Sequence, residues 1–172
     1  DISTHCFRGT VPVADESGRL YPYLKRARER GVLFDLGHGQ GSFLFRHAVP
    51  AIREGFYPDT VSSDLHGGSM NAAMMDLPTV MAKLMAAGMS LEEVVGRATW
   101  APARLIGHPE LGQLAPGAPA DVAAWRVTEG RFAFADTAGG RLEGRRRLFC
   151  ELTLTEGRVM WDWNARAAVD YQ

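Results

Sequence analysis

An α/β fold with parallel strands is what this sequence predicts, and three features predict it. Up to about Gly107 the chain repeats one unit: a short apolar run, a polar loop bearing glycine, and an amphipathic stretch of helical period. Beyond Gly107 that unit disappears, and short apolar runs follow one another across turn residues in the manner of antiparallel strands. The composition, 46% hydrophobic and 23% charged with 19 Gly and 9 Pro in 172 residues, is that of a globular chain and excludes a disordered or collagen-like one.

The first unit opens with a strand from Ile2 to Phe7, loops through Arg8-Gly9 and Glu16-Ser17-Gly18, and enters a helix from about Leu20 to Arg30 that Gly31 closes. The second has a strand from Val32 to Leu36 and the loop Gly37-His38-Gly39-Gln40-Gly41. Its helix is capped by Ser42, carries Phe43, Leu44, Ala48 and Ile52 on one side, and stops at Gly55. The third has a strand from Thr60 to Ser63, a loop that starts at Asp64, and a helix from Leu77 to Ala87 ended by Gly88. Ser90 and Glu93 then form a capping box for a helix whose apolar face is Val94, Val95, Ala98, Ala101 and Leu105. A turn-rich connector from His108 to Pro119 leads to strands at 121–127, 131–135, 146–155 and 158–163, the last two joined by a hairpin turn at Glu156-Gly157. Arg145-Arg146-Arg147 falls at the start of a strand and reads as solvated edge charge. Two segments result, 1–107 and 108–172.

Nineteen basic against twenty acidic side chains give a net charge of −1, so no global field favours nucleic acid or an anionic membrane. No window approaches the ~18 apolar residues of a membrane span, and the chain does not open on a charged stretch followed by an apolar one. The expectation is a cytoplasmic protein with no nucleic-acid or membrane partner. Cys6 and Cys150 are too few for a disulfide framework and read as two reduced thiols.

Three polar residues hold equivalent places. His5, His38 and Asp64 each stand at or just beyond the C-terminal end of an expected parallel strand, at spacings of 33 and 26 positions. Strand C-termini of a parallel sheet or barrel open on one face, so the three should converge there. Imidazole and carboxylate are the usual ligands of a hydrolytic metal ion, and a carboxylate beside such an ion can serve as general base. Taken singly, each has an ordinary reading: a strand-end histidine, a loop histidine, a turn or cap aspartate. Their joint placement favours the site. His66, in the glycine loop after Asp64, is a substrate contact or a bystander; His47 and His108 read as surface residues. Cys6 should point away from His5 and pack as a core thiol. Gly37-His38-Gly39-Gln40-Gly41 lacks the spacing of a phosphate loop, and the methionines between Met70 and Met89 read as core filler.

Asp1-Ile2-Ser3-Thr4-His5-Cys6-Phe7, Phe34-Asp35-Leu36-Gly37-His38-Gly39-Gln40-Gly41-Ser42-Phe43, Ser62-Ser63-Asp64-Leu65-His66 and Leu111-Gly112-Gln113-Leu114 through Ala118-Pro119-Ala120-Asp121-Val122 resemble the amidohydrolase superfamily, and within it the dihydroorotase-like amidohydrolase/deacetylase metallohydrolases. The resemblance implies a (β/α)₈ TIM-type barrel with a small β-sandwich. This chain would supply strands 6–8 with their helices from residues 1–107, and a sandwich segment from 108–172. It implies one or two divalent metals, Zn first with Mn or Fe as alternatives. His5 and Asp64 are then metal ligands, Asp64 and His38 catalytic residues, and His38, His66 and Gly39 contacts to substrate. The family's His-x-His pair occurs nowhere in this sequence, and a whole barrel takes about 250 residues, so the chain is expected to be the C-terminal part of a longer gene. The implied reaction is cleavage of an amide or ester of a small molecule by metal-activated hydroxide, Asp64 acting as base. The other reading is a catalytically silent module that completes itself with its missing half or as a homo-oligomer.

Overall fold

The computed structural model describes residues 1–171; Gln172, the end of the expected second segment, lies outside them. Its first half is built on short parallel segments. Strand β1 (Ile2–Ser3) pairs in parallel with β2 (Leu33–Phe34), Ile2 opposite Leu33 and Ser3 opposite Phe34. Residues 60–63 lie on the other side of β2: Asp35 bridges Thr60, and the amides of Leu36, His38 and Gly39 donate to the carbonyls of Thr60, Ser62 and Ser63. The Asp35 carboxylate ties the three segments together, accepting hydroxyl bonds from Thr4, Thr60 and Ser62 at 2.7–2.8 Å.

All three expected parallel strands are shorter than the sequence suggests, the second being Leu33–Phe34 and not Val32–Leu36. The first ends at Ser3 because His5 adopts φ +60, which no extended strand accommodates. The third is reduced to its bridge, since the Val61 amide donates to the Arg97 carbonyl at 2.7 Å rather than to a further strand.

Helix α1 (Pro22–Glu29) has proline in its first turn and buries Leu24; Gly31, with φ +84, follows its end. Helix α2 (Phe45–Arg53) begins two residues later than expected. Leu44 is its N-cap, and the group that satisfies the Phe45 amide is the buried Asp136 carboxylate, 3.0 Å away and from the far end of the chain. Helix α3 (Leu77–Ala87) is capped by Asp76, which accepts from the Thr79 amide, and eight of its eleven residues are buried. A helix buried on nearly every side must sit between layers, and α3 does: it lies against the second sheet and beside α2 and α4. Helix α4 (Leu91–Ala98) carries the expected capping box, both bonds present, and α5 (Trp100–Leu105) follows directly.

The second sheet is antiparallel, in the order β3 (Val122–Ala135), β4 (Arg141–Thr155), β5 (Arg158–Asp162). The expected strands 121–127 and 131–135 are one strand, bent by a register shift between Glu129 and Phe132. Likewise β4 starts at Arg141, so Arg145–Arg147 lie within it and not at its start. Glu156 and Gly157 both have positive φ, +50 and +76, which is the backbone of the expected tight hairpin turn. Phe134 and Leu148 from this sheet belong to the same hydrophobic core as Phe7, Phe43, Met81 and Leu84. Of the methionines read as filler, Met74, Met81, Met85 and Met89 are core residues while Met70 and Met75 are exposed.

Candidate active site

His5 and Asp64 share a backbone peculiarity: both are non-glycine residues in the left-handed region, at φ +60 and +52. Such conformations cost of order 1–3 kcal/mol and persist only where the surroundings enforce them. Here the enforcing element is one loop, Gly37-His38-Gly39, whose backbone is held by the amides that donate to Ser62 Oγ, Ser62 O and Ser63 O. His5 Nδ1 lies 2.6 Å from the Gly37 carbonyl and donates to it as the protonated nitrogen, which leaves Nε2 free to bind a metal. A Cβ on Gly37 would come within 2.6 Å of that same Nδ1, and one on Gly39 would collide with Asp64 Oδ2. Both glycines have positive φ, +49 and +50. The two donor side chains expected to converge are therefore brought to opposite ends of one three-residue loop.

His38 sits in that loop but does not join them. Its ring is fully buried, stacked on Phe43 with centroids 4.6 Å apart, and its Nε2 lies 2.9 Å from the Lys83 amine. Burial, reinforced by the neighbouring ammonium, pulls its pKa down to about 4, so it is neutral at physiological pH. Direct contact with substrate does not fit this placement. The physical reason is that the ring is taken up on its inward side by Phe43 and by Lys83 of α3. Gly39, also expected at the substrate, is buried and serves as the seat of Asp64.

His66 is exposed, with Nδ1 accepting from the Gly68 amide at 3.1 Å. Its own amide donates to the fully buried Ser69 hydroxyl, which also lies 3.0 Å from the Asp64 carbonyl. A Cβ on Gly68 would touch both Gln40 Oε1 and the His66 ring, so the 64–69 loop packs against the 37–41 loop. Cys6 packs against the core, and burial pushes its thiol pKa up. His108 is exposed beside Glu110, whereas His47 is half-buried with its pKa lowered by burial.

Sequence reasoning missed Lys83, Ser69, Asp35 and Asp136. Lys83 had a signal: it is the lone charge inside the apolar run Leu77–Ala87. It is 1% exposed, and burial brings its amine down to about 8 although Asp136 and Asp76 pull the other way. Among the described residues no three His, Cys, Asp or Glu side chains come together as a metal cluster.

Comparison with known proteins places this arrangement in a family. A deacetylase of Brucella anthropi is 35% identical over 142 residues, covering 81% of this chain and 35% of that protein. Among solved structures, an adenine deaminase superposes with a TM-score of 0.87 at 29% identity, over 94% of this chain and 45% of its own. A dihydroorotase superposes with a TM-score of 0.75 at 31% identity, over 94% of this chain and 42% of its own. The chain thus spans little more than a third of the length of the curated relatives it matches. The model of the amidohydrolase family matches residues 45–141, which take in α2, the Asp64–Ser69 loop, α3, α4, α5 and all of β3. On that match, and on the motif resemblance it bears out, the chain belongs to the amidohydrolase family.

Proposed function

We propose that this chain forms part of the active-site face of a metal-dependent hydrolase that cleaves an amide or ester bond of a small molecule. Its substrates would be of deacetylase or dihydroorotase type: an N-acyl or O-acyl group on a small acid, or a cyclic amide. The observation that carries this reading is the pair His5 and Asp64, each in a strained left-handed conformation and each seated on a glycine of one loop. The relatives' names, deacetylase, adenine deaminase and dihydroorotase, support a hydrolase. In this reading β1, β2 and residues 60–63 are strands 6–8 of a (β/α)₈ barrel, residues 1–107 its partial domain and 108–172 a β-sandwich segment. Their side-by-side parallel order supports it.

The donor chemistry suits a divalent ion, Zn, Mn or Fe. His5 would bind through Nε2, its orientation set by the Nδ1 bond to Gly37, and Asp64 through its carboxylate. These are two donors where protein sites use at least three, so the set is partial within this chain. When bound, such an ion polarises a carbonyl and acidifies a water molecule. Asp64 takes the proton from the attacking water and passes it to the leaving group, and the exposed His66 imidazole orients the substrate at the rim. His38 acts from behind, through Gly39, on the position of Asp64. The protein would be cytoplasmic; no helix among the described residues is long and apolar enough to cross a membrane.

Replacing Asp64 by Asn in the full-length protein, assayed for amine or acid release from acylated small acids and cyclic amides, should lower turnover by roughly 10²–10⁴, the contribution of a positioned general base. Near-full activity with an unchanged melting profile would overturn the role. A second reading, a silent module completed by a second copy or by the other part of a longer protein, is favoured by the two-donor count. Equilibrium sedimentation with metal analysis of the full-length protein separates the two, because the hydrolase holds metal there and the silent module assembles without it.

A further inference from the structure

We propose that Lys83 is a positioning residue: its buried amine joins the 37–41 loop to the 64–76 loop, through His38 and Ala73, and so holds Gly39 against Asp64. This rests on the reading of Asp64 as a functional group. Lys83 Nζ lies 2.9 Å from His38 Nε2 and also donates to the Ala73 carbonyl, while standing 5.8 Å from the centre of the Phe43 ring. An ammonium has donors only, so His38 Nε2 must accept. A neutral imidazole carries one proton, and here it is left on Nδ1, which faces the Gly39 carbonyl at 2.9 Å. The ring therefore reads the amine on one side and fixes the Gly39 carbonyl on the other. Gly39 is the residue with no room for a Cβ beside Asp64 Oδ2, and its amide donates to the carbonyl of Ser63, the residue before Asp64.

Packing alone does not account for a lysine here. Its buried neighbours on α3 are Thr79, Val80, Met81, Ala82, Leu84, Met85 and Ala87, and a methionine would fill the same channel without desolvating a cation. What a methionine lacks is the pair of donors that reach two different loops. The line Ala73, Lys83, His38, Gly39, Asp64 is a continuous set of contacts from the interior of α3 to the candidate site, with the carboxylates of Asp136 and Asp76 as the acidic groups that pull on the amine.

The test is nitrogen-15 imidazole spectroscopy on the full chain, with amide hydrogen exchange as a second readout. Wild-type His38 should show a protonated Nδ1 and an unprotonated Nε2. Lys83→Met should lose that single tautomer and raise the exchange rate of the Gly39 amide by roughly tenfold or more, as expected for the loss of a charge-assisted bond. The amide of Val94, remote from the line, serves as control and should not change. Lys83→Arg, which keeps donors for both loops, should restore the Nδ1–H tautomer. A wild-type His38 protonated on Nε2 overturns the proposal without any variant, and so does a Lys83→Met protein in which tautomer and Gly39 exchange are unaltered. If Lys83→Met does not fold, the wild-type tautomer and the arginine variant still decide. None of these readouts requires metal or turnover, so failure of the hydrolase reading, seen as an active Asp64→Asn enzyme, is distinguishable from failure of this one.

Discussion

Gly39 carries the tightest constraint at the residue scale. It combines φ +50 with a Cβ position already occupied by Asp64 Oδ2. Gly39→Ala must therefore pay the left-handed penalty of about 1–2 kcal/mol and also push the carboxylate aside. The expected outcome is a loss of at least that stability in urea unfolding, together with weaker metal binding in the full-length protein; an unchanged midpoint would show that the loop is not a rigid seat. His38 adds a pH dependence with a definite sign. Its pKa is about 4 in the fold against 6.5 as the ordinary value, so between these pH values the unfolded chain binds the extra proton. Its contribution is complete above about pH 6.5 and is lost as the pH falls towards 4. From pH 7 to pH 5 the loss is about 2 kcal/mol, and a His38→Gln variant should show that much less acid sensitivity over the same interval. The placement of His5 and Asp64 beside one loop was legible because strand ends recur at the spacing of one βα unit. Lys83 and the inward turn of His38 were not, because a ring direction depends on what packs across from it.

Among the elements, α2 shows where local sequence rules stop. Ser42 is a good capping residue by type, three positions ahead of the helix, yet the first helical amide is satisfied by Asp136 across the fold. Asp136 also accepts from the Ala138 and Gly140 amides at 2.9 and 2.7 Å, so one carboxylate closes the β3–β4 turn and caps a helix. A buried group with three donors trained on it is costly to remove. Asp136→Ala should therefore destabilise by about 2 kcal/mol or more, while Ser42→Ala should cost less than about 0.5 kcal/mol; the reverse order in thermal or urea melts would restore Ser42 as the cap. The elements whose signals are local were read correctly: the Ser90/Glu93 box, the Leu77–Ala87 span of α3 with Gly88 at its end, and the Glu156-Gly157 turn. The strand at 60–63 was overestimated because alternation reports a preference for extension and carries no information on whether a partner or the Arg97 carbonyl will take the amides.

For the molecule as a whole, the sheet and the helices share one core, but the candidate site is only half furnished. The two sequence segments meet through Phe134 and Leu148 on the apolar side and through Asp136 and Thr137 at α2 and Phe43 on the polar side. Such a core can hold the strand ends in place whether or not the site is complete. On the proposed site face, by contrast, His5 and Asp64 would supply two metal donors, and the apolar Leu65 and Met70 of the loop after Asp64 stand exposed at 62% and 53%. Two ligands give a divalent ion neither the coordination number nor the closed geometry that confers tight binding. The isolated chain is thus expected to release zinc on dialysis against metal-free buffer, and elemental analysis should find well under one ion per chain. The full-length protein should retain it, and lose it on His5→Ala or Asp64→Asn. If the isolated chain instead keeps one ion per copy and sediments as an oligomer, the missing donors come from a second copy, and dissociating the assembly should release the metal in the same step.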